Sequence, residues 1–276
     1  MKERNHVRKE LVVAMAQWLA VPGDPATNLE AAVDVIERAG AAGADLVVLP
    51  ELWASGYDVA TLHADVIGAA EPLDGPRTDV LGELARRLQL WVFAGSVPEL
   101  SGNDIYNTAP VFNRQGVMVS AHRKIHLYQP TGEDKIFTAG SNLTSFVDEE
   151  LGHVGVTVCF DGDFPETARA LGRRGADLIV QVNCYEWEAR SYWDILYPAA
   201  ALANAQWWVM ANQCGTTSSG TCLGASRVIA PTGDILAEAA RADLGESPQP
   251  ELLLCCLKET TEIVGAREFA ELLRVG

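Results

Sequence analysis

Basic residues are scarce in this chain of 276 residues: 21 Lys and Arg stand against 37 Asp and Glu, a formal charge of −16. A surface of that sign repels phosphate backbones and anionic lipid headgroups, so neither nucleic acid nor a membrane is an expected partner. Apolar runs are short as well, and none approaches the ~20 residues that a membrane helix requires. The segment with Lys2, Arg4, Arg8 and Lys9 ahead of residues 11–16 has the charge order of a secretory leader, but Gln17 and Trp18 cut its apolar part short. It reads instead as a charged tail over residues 1–10 followed by a first strand, in a cytoplasmic protein. Cysteines number 6, with no CxxC pair and with Cys255 and Cys256 adjacent, which excludes a small disulfide scaffold and a zinc site. No metal or organic cofactor is expected. Cys184, Cys214, Cys222, Cys255 and Cys256 read as reduced, buried core residues. No linker rich in Pro, Gly or Ser divides the chain, and the one soft patch, residues 245–250, reads as a surface loop. One domain over residues 1–276 is therefore expected.

What is present is a core-forming chain with 48% apolar residues and a doubled phrase. Residues 28–42 carry Leu29, Ala32, Val33, Val35 and Ile36 at helical spacing and stop at Gly43, after which Asp45-Leu46-Val47-Val48-Leu49 reads as a buried strand. Residues 168–174 also look helical, and Gly175-Ala176-Asp177-Leu178-Ile179-Val180 repeats the phrase, which suggests two β-α-β halves. Further strands are expected at 90–94, 105–112, 117–121, 207–211, 226–230 and 252–257, with helices near 78–88, 192–204 and 259–273. Continuously apolar strands imply burial on both faces, and direct strand-to-strand stretches such as 105–121 imply antiparallel pairs. A layered α/β domain with mixed sheets follows. The last helix could pack on the body or reach to another subunit; the pattern is compatible with both.

Three polar residues stand where expected strands end: Glu51 after Val47-Val48-Leu49-Pro50, Lys124 after residues 117–121, and Cys159 after His153-Val154-Gly155-Val156-Thr157-Val158. Strand ends converge in layered α/β folds. A thiol set at a strand-to-helix corner needs a base to become a thiolate, and the oxyanion formed on its attack needs a fixed positive donor. Taken singly, each residue has an ordinary reading, solvated for the Glu and Lys and packed for the Cys. The motifs around them weigh the other way: Leu49-Pro50-Glu51-Leu52 with Gly56-Tyr57, Tyr106-Asn107-Thr108-Ala109, Arg123-Lys124-Ile125-His126-Leu127, and Cys159-Phe160-Asp161 with Phe164-Pro165-Glu166. His122 and His126 share the face of Lys124 in an extended segment and read as structural histidines.

In these motifs and their order the chain resembles the nitrilase superfamily, the carbon-nitrogen hydrolases with a Glu-Lys-Cys triad. The resemblance runs from Ala14-Met15-Ala16-Gln17 and Asn28-Leu29 to Gly224-Ala225-Ser226 and Pro231-Thr232-Gly233-Asp234-Ile235-Leu236. It implies a four-layer α-β-β-α sandwich with two mixed β-sheets, often assembled as a homodimer. It also implies Glu51 as general base, Lys124 as oxyanion donor with the Phe160 backbone N–H, and Cys159 as nucleophile. Glu133, in Gly132-Glu133-Asp134-Lys135-Ile136-Phe137, is similar to the family glutamate that orients substrate and lysine. The chain departs from the family at Ala199-Ala200-Ala201-Leu202-Ala203-Asn204, where an arginine and a glutamate are missing.

The implied activity is hydrolysis of a small amide through a thioester, with ammonia or an amine released. A nitrilase, an N-carbamoyl amine hydrolase, an acyltransferase and a binding protein without turnover are the alternatives. Asp163 bears on the substrate, because family branches that read a carboxylate look arginine-rich at that point. An acidic residue there would repel an anionic tail, so a neutral or amine-bearing amide is expected, unless Asp163 pairs on the surface with Arg169 or Arg173. Tyr57, Tyr185, Glu186 and Trp187 are placed beside it as substrate contacts. Trp193 fits either that wall or the core.

Overall fold

The computed structural model describes residues 10–218, 220–242 and 249–273. In the first half the chain runs β1 (Glu10–Gln17), α1 (Pro25–Ala41), β2 (Leu46–Val48), α2 (Leu62–Ala69), α3 (Pro76–Leu88), β3 (Trp91–Phe93), β4 (Val97–Ser101), β5 (Asp104–Phe112) and β6 (Met118–Arg123). In the second it runs β7 (Thr144–Asp148), β8 (Gly152–Val158), α4 (Pro165–Arg174), β9 (Leu178–Asn183), α5 (Tyr197–Asn204), β10 (Trp207–Asn212), β11 (Cys214–Thr216), β12 (Thr221–Leu223), β13 (Arg227–Ile229), β14 (Ile235–Glu238), β15 (Glu251–Lys258) and α6 (Thr261–Leu273). The tail over residues 1–9 and most of the patch at 245–250 lie outside the described residues.

Two large mixed sheets and a separate two-stranded sheet, β11-β12, result. The first has the order β15-β1-β2-β3-β5-β4 with β6 also on β5, and the second β14-β13-β10-β9-β8-β7. The doubled phrase explains their likeness. Asp45 takes the Val12 carbonyl with its N–H and gives its own carbonyl to Trp91, while Asp177 does the same between His153 and Trp207. Each aspartate thus enters a central strand with parallel neighbours, β1-β2-β3 in one sheet and β8-β9-β10 in the other.

Alternation along these strands assigns the layers, since successive side chains point to opposite faces. Leu46 and Val48 join Met15, Val156, Val180 and Val209 in a core between the two sheets. Val47 and Leu49 face the other way, onto Ile36 and Leu84 of α1 and α3. On the far side, Ile179, Trp208 and Met210 pack against Leu171 and Ala201 of α4 and α5. This is the four-layer α-β-β-α sandwich, with every central strand buried on both faces as its unbroken apolar run requires.

Several local expectations change. The helix expected over 192–204 is interrupted: a π-helical turn, Tyr192–Leu196, leads into α5, where Pro198 stands in the first turn and supplies no N–H. Cys256 is exposed and Cys255 only half-buried, because β15 lies at the sheet edge and faces solvent on one side; Cys184, Cys214 and Cys222 are buried. On α6, Ile263 joins the inter-sheet core and Arg267 lies 3.3 Å from Asp177, so this helix packs on the body. Among the described residues no helix is long and apolar enough to cross a membrane.

Candidate active site

The ends of β2, β6, β8 and β9 meet at one edge of the sandwich. Beyond β2 the chain turns through Leu52, which takes a positive φ of 46°, and so turns the Glu51 side chain into the protein. Lys124 follows β6 directly, and its backbone is held on both sides: its N–H donates to the Asn107 carbonyl at 2.8 Å and its carbonyl accepts from Gly140 at 2.8 Å. Cys159 ends β8 with a φ of 46°, a left-handed conformation that costs a non-glycine residue about 1–3 kcal/mol. It opens a 3-10 turn over Cys159–Asp163, whose first N–H groups, Phe160 among them, have no acceptor within the turn. The corner is packed tightly, since a Cβ on Gly162 would come within 2.0 Å of Gln181 Oε1.

The side chains converge. Lys124 Nζ donates to Glu51 Oε1 and to Glu133 Oε1, each at 2.8 Å, and all three residues are at most 1% exposed. Glu51 is otherwise fixed by Asn107 Nδ2 at 2.9 Å and by the Cys184 N–H at 3.0 Å on its second oxygen. Its carboxyl lies near enough the Cys159 thiol for each to act on the other's proton affinity. Glu133 also accepts from the Tyr57 hydroxyl at 2.8 Å and from the Tyr128 N–H at 2.8 Å. Both Glu133 oxygens are thus committed to holding neighbours, whereas Glu51 is the carboxylate whose charge bears more strongly on the thiol.

Burial governs the proton affinities here. It raises Glu51 above the ordinary glutamate value, with the Lys124 ammonium opposing and Glu133 adding to the rise. Burial also lifts the Cys159 thiol well up, the Glu51 charge adds to this, and Lys124 opposes it. Burial would lower Lys124, but the charges of Glu133 and Glu51 outweigh it and hold the ammonium far above the ordinary lysine value. These directions favour the neutral form of the thiol and the charged form of the lysine, and they raise the basicity of Glu51.

A cavity of about 150 Å³ opens onto the thiol, lined by Tyr57, Tyr128, Cys159, Asp163, Tyr185 and Glu186 among others. Asp163 has neither of the arginines expected as its surface partners. It accepts from the Tyr185 hydroxyl at 2.6 and 2.7 Å and from the Tyr197 hydroxyl at 2.6 Å. Trp187 is the correction: it does not line the cavity, and its ring lies instead under the Arg190 guanidinium at 4.5 Å. The reason is the 3-10 turn Trp187–Ala189 after β9, which turns the indole away. Trp193 is fully buried, donates to the Ala225 carbonyl at 3.1 Å and packs on Tyr185 and Tyr197, so it belongs to the core.

Sequence reasoning overlooked Asp161. Its fully buried carboxylate accepts from the Val158 N–H at 3.3 Å, the Ile125 N–H at 3.1 Å, the His126 N–H at 2.8 Å, and the rings of His126 and His122, each at 2.9 Å. The residues flanking Lys124 are thereby tied to the residue before Cys159, and His122 and His126 serve that tie. The available signal was the spacing itself, an acid two residues after the cysteine and two histidines astride the lysine. Tyr128 and Tyr192 at the cavity rim were also missed, because nothing in their local pattern distinguishes them from surface tyrosines.

Known proteins share this arrangement's frame. The family model for carbon-nitrogen hydrolases matches residues 12–245. An omega-amidase of Arabidopsis thaliana chloroplasts is 34% identical over 230 residues, 79% of this chain, which spans 62% of that protein's length. An omega-amidase of Saccharomyces cerevisiae is 31% identical over 85% of each chain. Among solved structures, a Saccharomyces cerevisiae member of branch 10 of the nitrilase superfamily superposes with a TM-score of 0.82 at 27% identity over 97% of this chain and 95% of its own. An amidase from Nesterenkonia sp. AN1, solved as a glutamate-to-glutamine mutant with the acetamide moiety of fluoroacetamide added covalently at the active site cysteine, gives 0.77 at 27% identity over 96% of both chains. The chain belongs to the carbon-nitrogen hydrolase family of the nitrilase superfamily.

Proposed function

We propose that this protein hydrolyses a small amide, neutral or amine-bearing, through a thioester on Cys159. The observation that carries the reading is the gathering of Glu51, Lys124 and Cys159 in one buried corner, with the Lys124 ammonium 2.8 Å from Glu51 and the Glu51 carboxyl near enough the thiol for each to act on the other's proton affinity. Glu51 takes the thiol proton as sulfur attacks the amide carbon. Lys124 and the Phe160 N–H stabilise the oxyanion of the tetrahedral adduct. Glu51 returns the proton to nitrogen, the C–N bond breaks and ammonia or an amine leaves. Water then gives a proton to Glu51 and attacks the thioester, the C–S bond breaks, and the carboxylic acid and free thiol result. Two smaller barriers replace one.

Glu133 acts in this scheme as a positioning residue. It holds Lys124, and it keeps Tyr57, whose phenol burial holds well above its ordinary pKa, as a hydrogen-bond donor. A neutral thiol next to a raised carboxylate favours concerted transfer over a free thiolate, which would be costly in so dry a site. Amides are preferred to nitriles as substrates because the similar proteins are amidases by name. The same reading places the enzyme in the cytoplasm as a homodimer, an assembly suited by the exposed Ile195 and Leu202 near α5; sedimentation showing only monomer would contradict the pairing.

The test is ammonia release from paired amides and nitriles of one carbon skeleton, with wild-type and Cys159→Ala proteins. Release from the amide by the wild type alone is expected, with an acid limb of the pH profile above the ordinary glutamate range, since protonated Glu51 cannot accept the thiol proton. Equal release by the Cys159→Ala protein would refute the assignment.

A further inference from the structure

The wall of the cavity carries acid without base. Asp163 and Glu186 both line it, and its other residues include Tyr128, Phe160, Tyr185 and Tyr192 but no lysine, arginine or histidine. Lys124, beneath it, is already engaged by Glu51 and Glu133. Asp163 is oriented by Tyr185 and Tyr197, so its position is set before any ligand arrives. Glu186 differs: it is half-buried, its carboxylate has no hydrogen-bond or ion-pair donor among the described residues, and the charge acting on it is another carboxylate, Glu188. A half-buried carboxylate has lost part of its hydration, and a cation that meets it in the cavity offsets that loss with a charge-assisted hydrogen bond. Tyr128 reports the convergence, because its hydroxyl lies within the fields of Glu186, Cys159 and Asp163 together.

We propose that Glu186, with Asp163 and the aromatic rim of Tyr128 and Tyr192, forms an ammonium subsite, and that the preferred substrates are small amides bearing a protonated amine on the acyl chain. This rests on the amide-hydrolase reading of Cys159 and narrows its substrate class. The carboxylate supplies a charge-assisted hydrogen bond and the tyrosine faces a cation–π contact. A neutral chain of the same length would leave Glu186 unpaired, and an anionic one would meet repulsion from both acids, which is how the site discriminates. Burial raises Glu186 above the ordinary glutamate value, so the preference for the amine weakens as pH falls through that raised range and the acid loses its charge.

Three probes that share a two-methylene spacer and differ in the group at its end, ammonium, methyl or carboxylate, decide the matter: β-alaninamide, butyramide and succinamate. For the wild type, kcat/KM is expected to rank β-alaninamide above butyramide by about tenfold or more, the factor of one charge-assisted hydrogen bond, with succinamate last. In Glu186→Gln the ratio of β-alaninamide to butyramide falls by about tenfold, chiefly through KM. Calorimetry on the Cys159→Ala protein measures the same ranking without turnover. Ammonia release from butyramide with a ratio near one, or a ratio unmoved in Glu186→Gln, overturns the subsite and leaves the hydrolase. Selective binding of β-alaninamide by the Cys159→Ala protein, with no ammonia from any probe and wild-type enzyme, sustains the subsite and overturns the hydrolase.

Discussion

Lys124→Met is expected to abolish amide turnover and to weaken the fold in a pH-dependent way. Methionine fills nearly the same volume, but it removes the one cation that, among the described residues, touches Glu51 and Glu133, each 2.8 Å from Nζ and fully buried. Breaking a buried ion pair from one side costs about 3–5 kcal/mol, because the remaining charge is neither solvated nor compensated. Here two carboxylates are stranded together. Burial already raises Glu51, and without the ammonium that opposes this rise, its folded-state pKa goes higher still. A carboxyl whose folded pKa exceeds its unfolded value of about 4.3 binds protons on folding, so the stability deficit grows as pH rises and shrinks as pH falls. Urea unfolding at pH 7 and pH 5 should show a larger gap between wild type and variant at the higher pH. A gap that does not change with pH would mean that the carboxylates do not face the lysine as described.

Asp161→Asn has the second-largest expected effect, although Asp161 touches neither the thiol nor the substrate cavity. The substitution keeps shape but turns one acceptor oxygen into a donor, in a position where the Val158 N–H and the His122 ring already approach Oδ2, while Ile125 and His126 approach Oδ1. Burial alone would raise the Asp161 pKa, but the hydrogen bonds from His122 and His126 outweigh it and hold the carboxyl well below the ordinary aspartate range. Losing such charge-assisted bonds costs about 2–4 kcal/mol on the usual scale of bonds to buried ionised groups. Catalysis should suffer more than stability. The carboxylate fixes the segment of Lys124 against that of Cys159, and a misplacement of about 1 Å in a reacting geometry costs roughly a hundredfold. A purely structural role predicts a lower melting temperature with normal kcat at 20 °C, whereas the positioning role predicts a kcat loss with little change in KM.

The sign of its pH dependence separates this variant from the first. Asp161 has a depressed folded pKa, so its stabilisation is fully present above the unfolded value of about 3.9 and is lost as pH falls through the folded one. The deficit of Asp161→Asn should therefore stay constant from neutral pH down to about pH 5 and close only in stronger acid. The deficit of Lys124→Met should already be closing in that interval.

The frame of the molecule was legible in the sequence because its central strands are apolar on both faces and its two aspartate phrases repeat. Leu46-Val47-Val48 and Leu178-Ile179-Val180 admit little else than doubly covered strands. Glu51, Lys124 and Cys159 could be read as a group because each follows an expected strand, doubly covered for Glu51 and Cys159 and half-exposed for Lys124, within motifs in one fixed order. The peripheral strands β4, β7 and β14 were not legible, since they are short and partly exposed, and a neighbouring edge rather than their own pattern makes them strands. Side-chain partners were the least accessible. Asp163 pairs with Tyr185 and Tyr197, respectively 22 and 34 residues away, and no local rule names them. Trp187 leaves the cavity wall where it was expected, and Trp193 takes the core, one of the two places open to it, across a 3-10 turn and a π-helical turn that the local pattern did not announce.

Everything in the mechanism passes through a covalent bond to one sulfur. Rapid quenching of the wild-type protein during turnover of butyramide, followed by intact mass measurement and peptide mapping, tests that bond directly. The account predicts a mass gain of one butyryl group on the peptide containing Cys159, discharged by added hydroxylamine and absent from the Cys159→Ala protein. Steady ammonia release with no acyl group on Cys159, or with the acyl group on another of the cysteines, would contradict it.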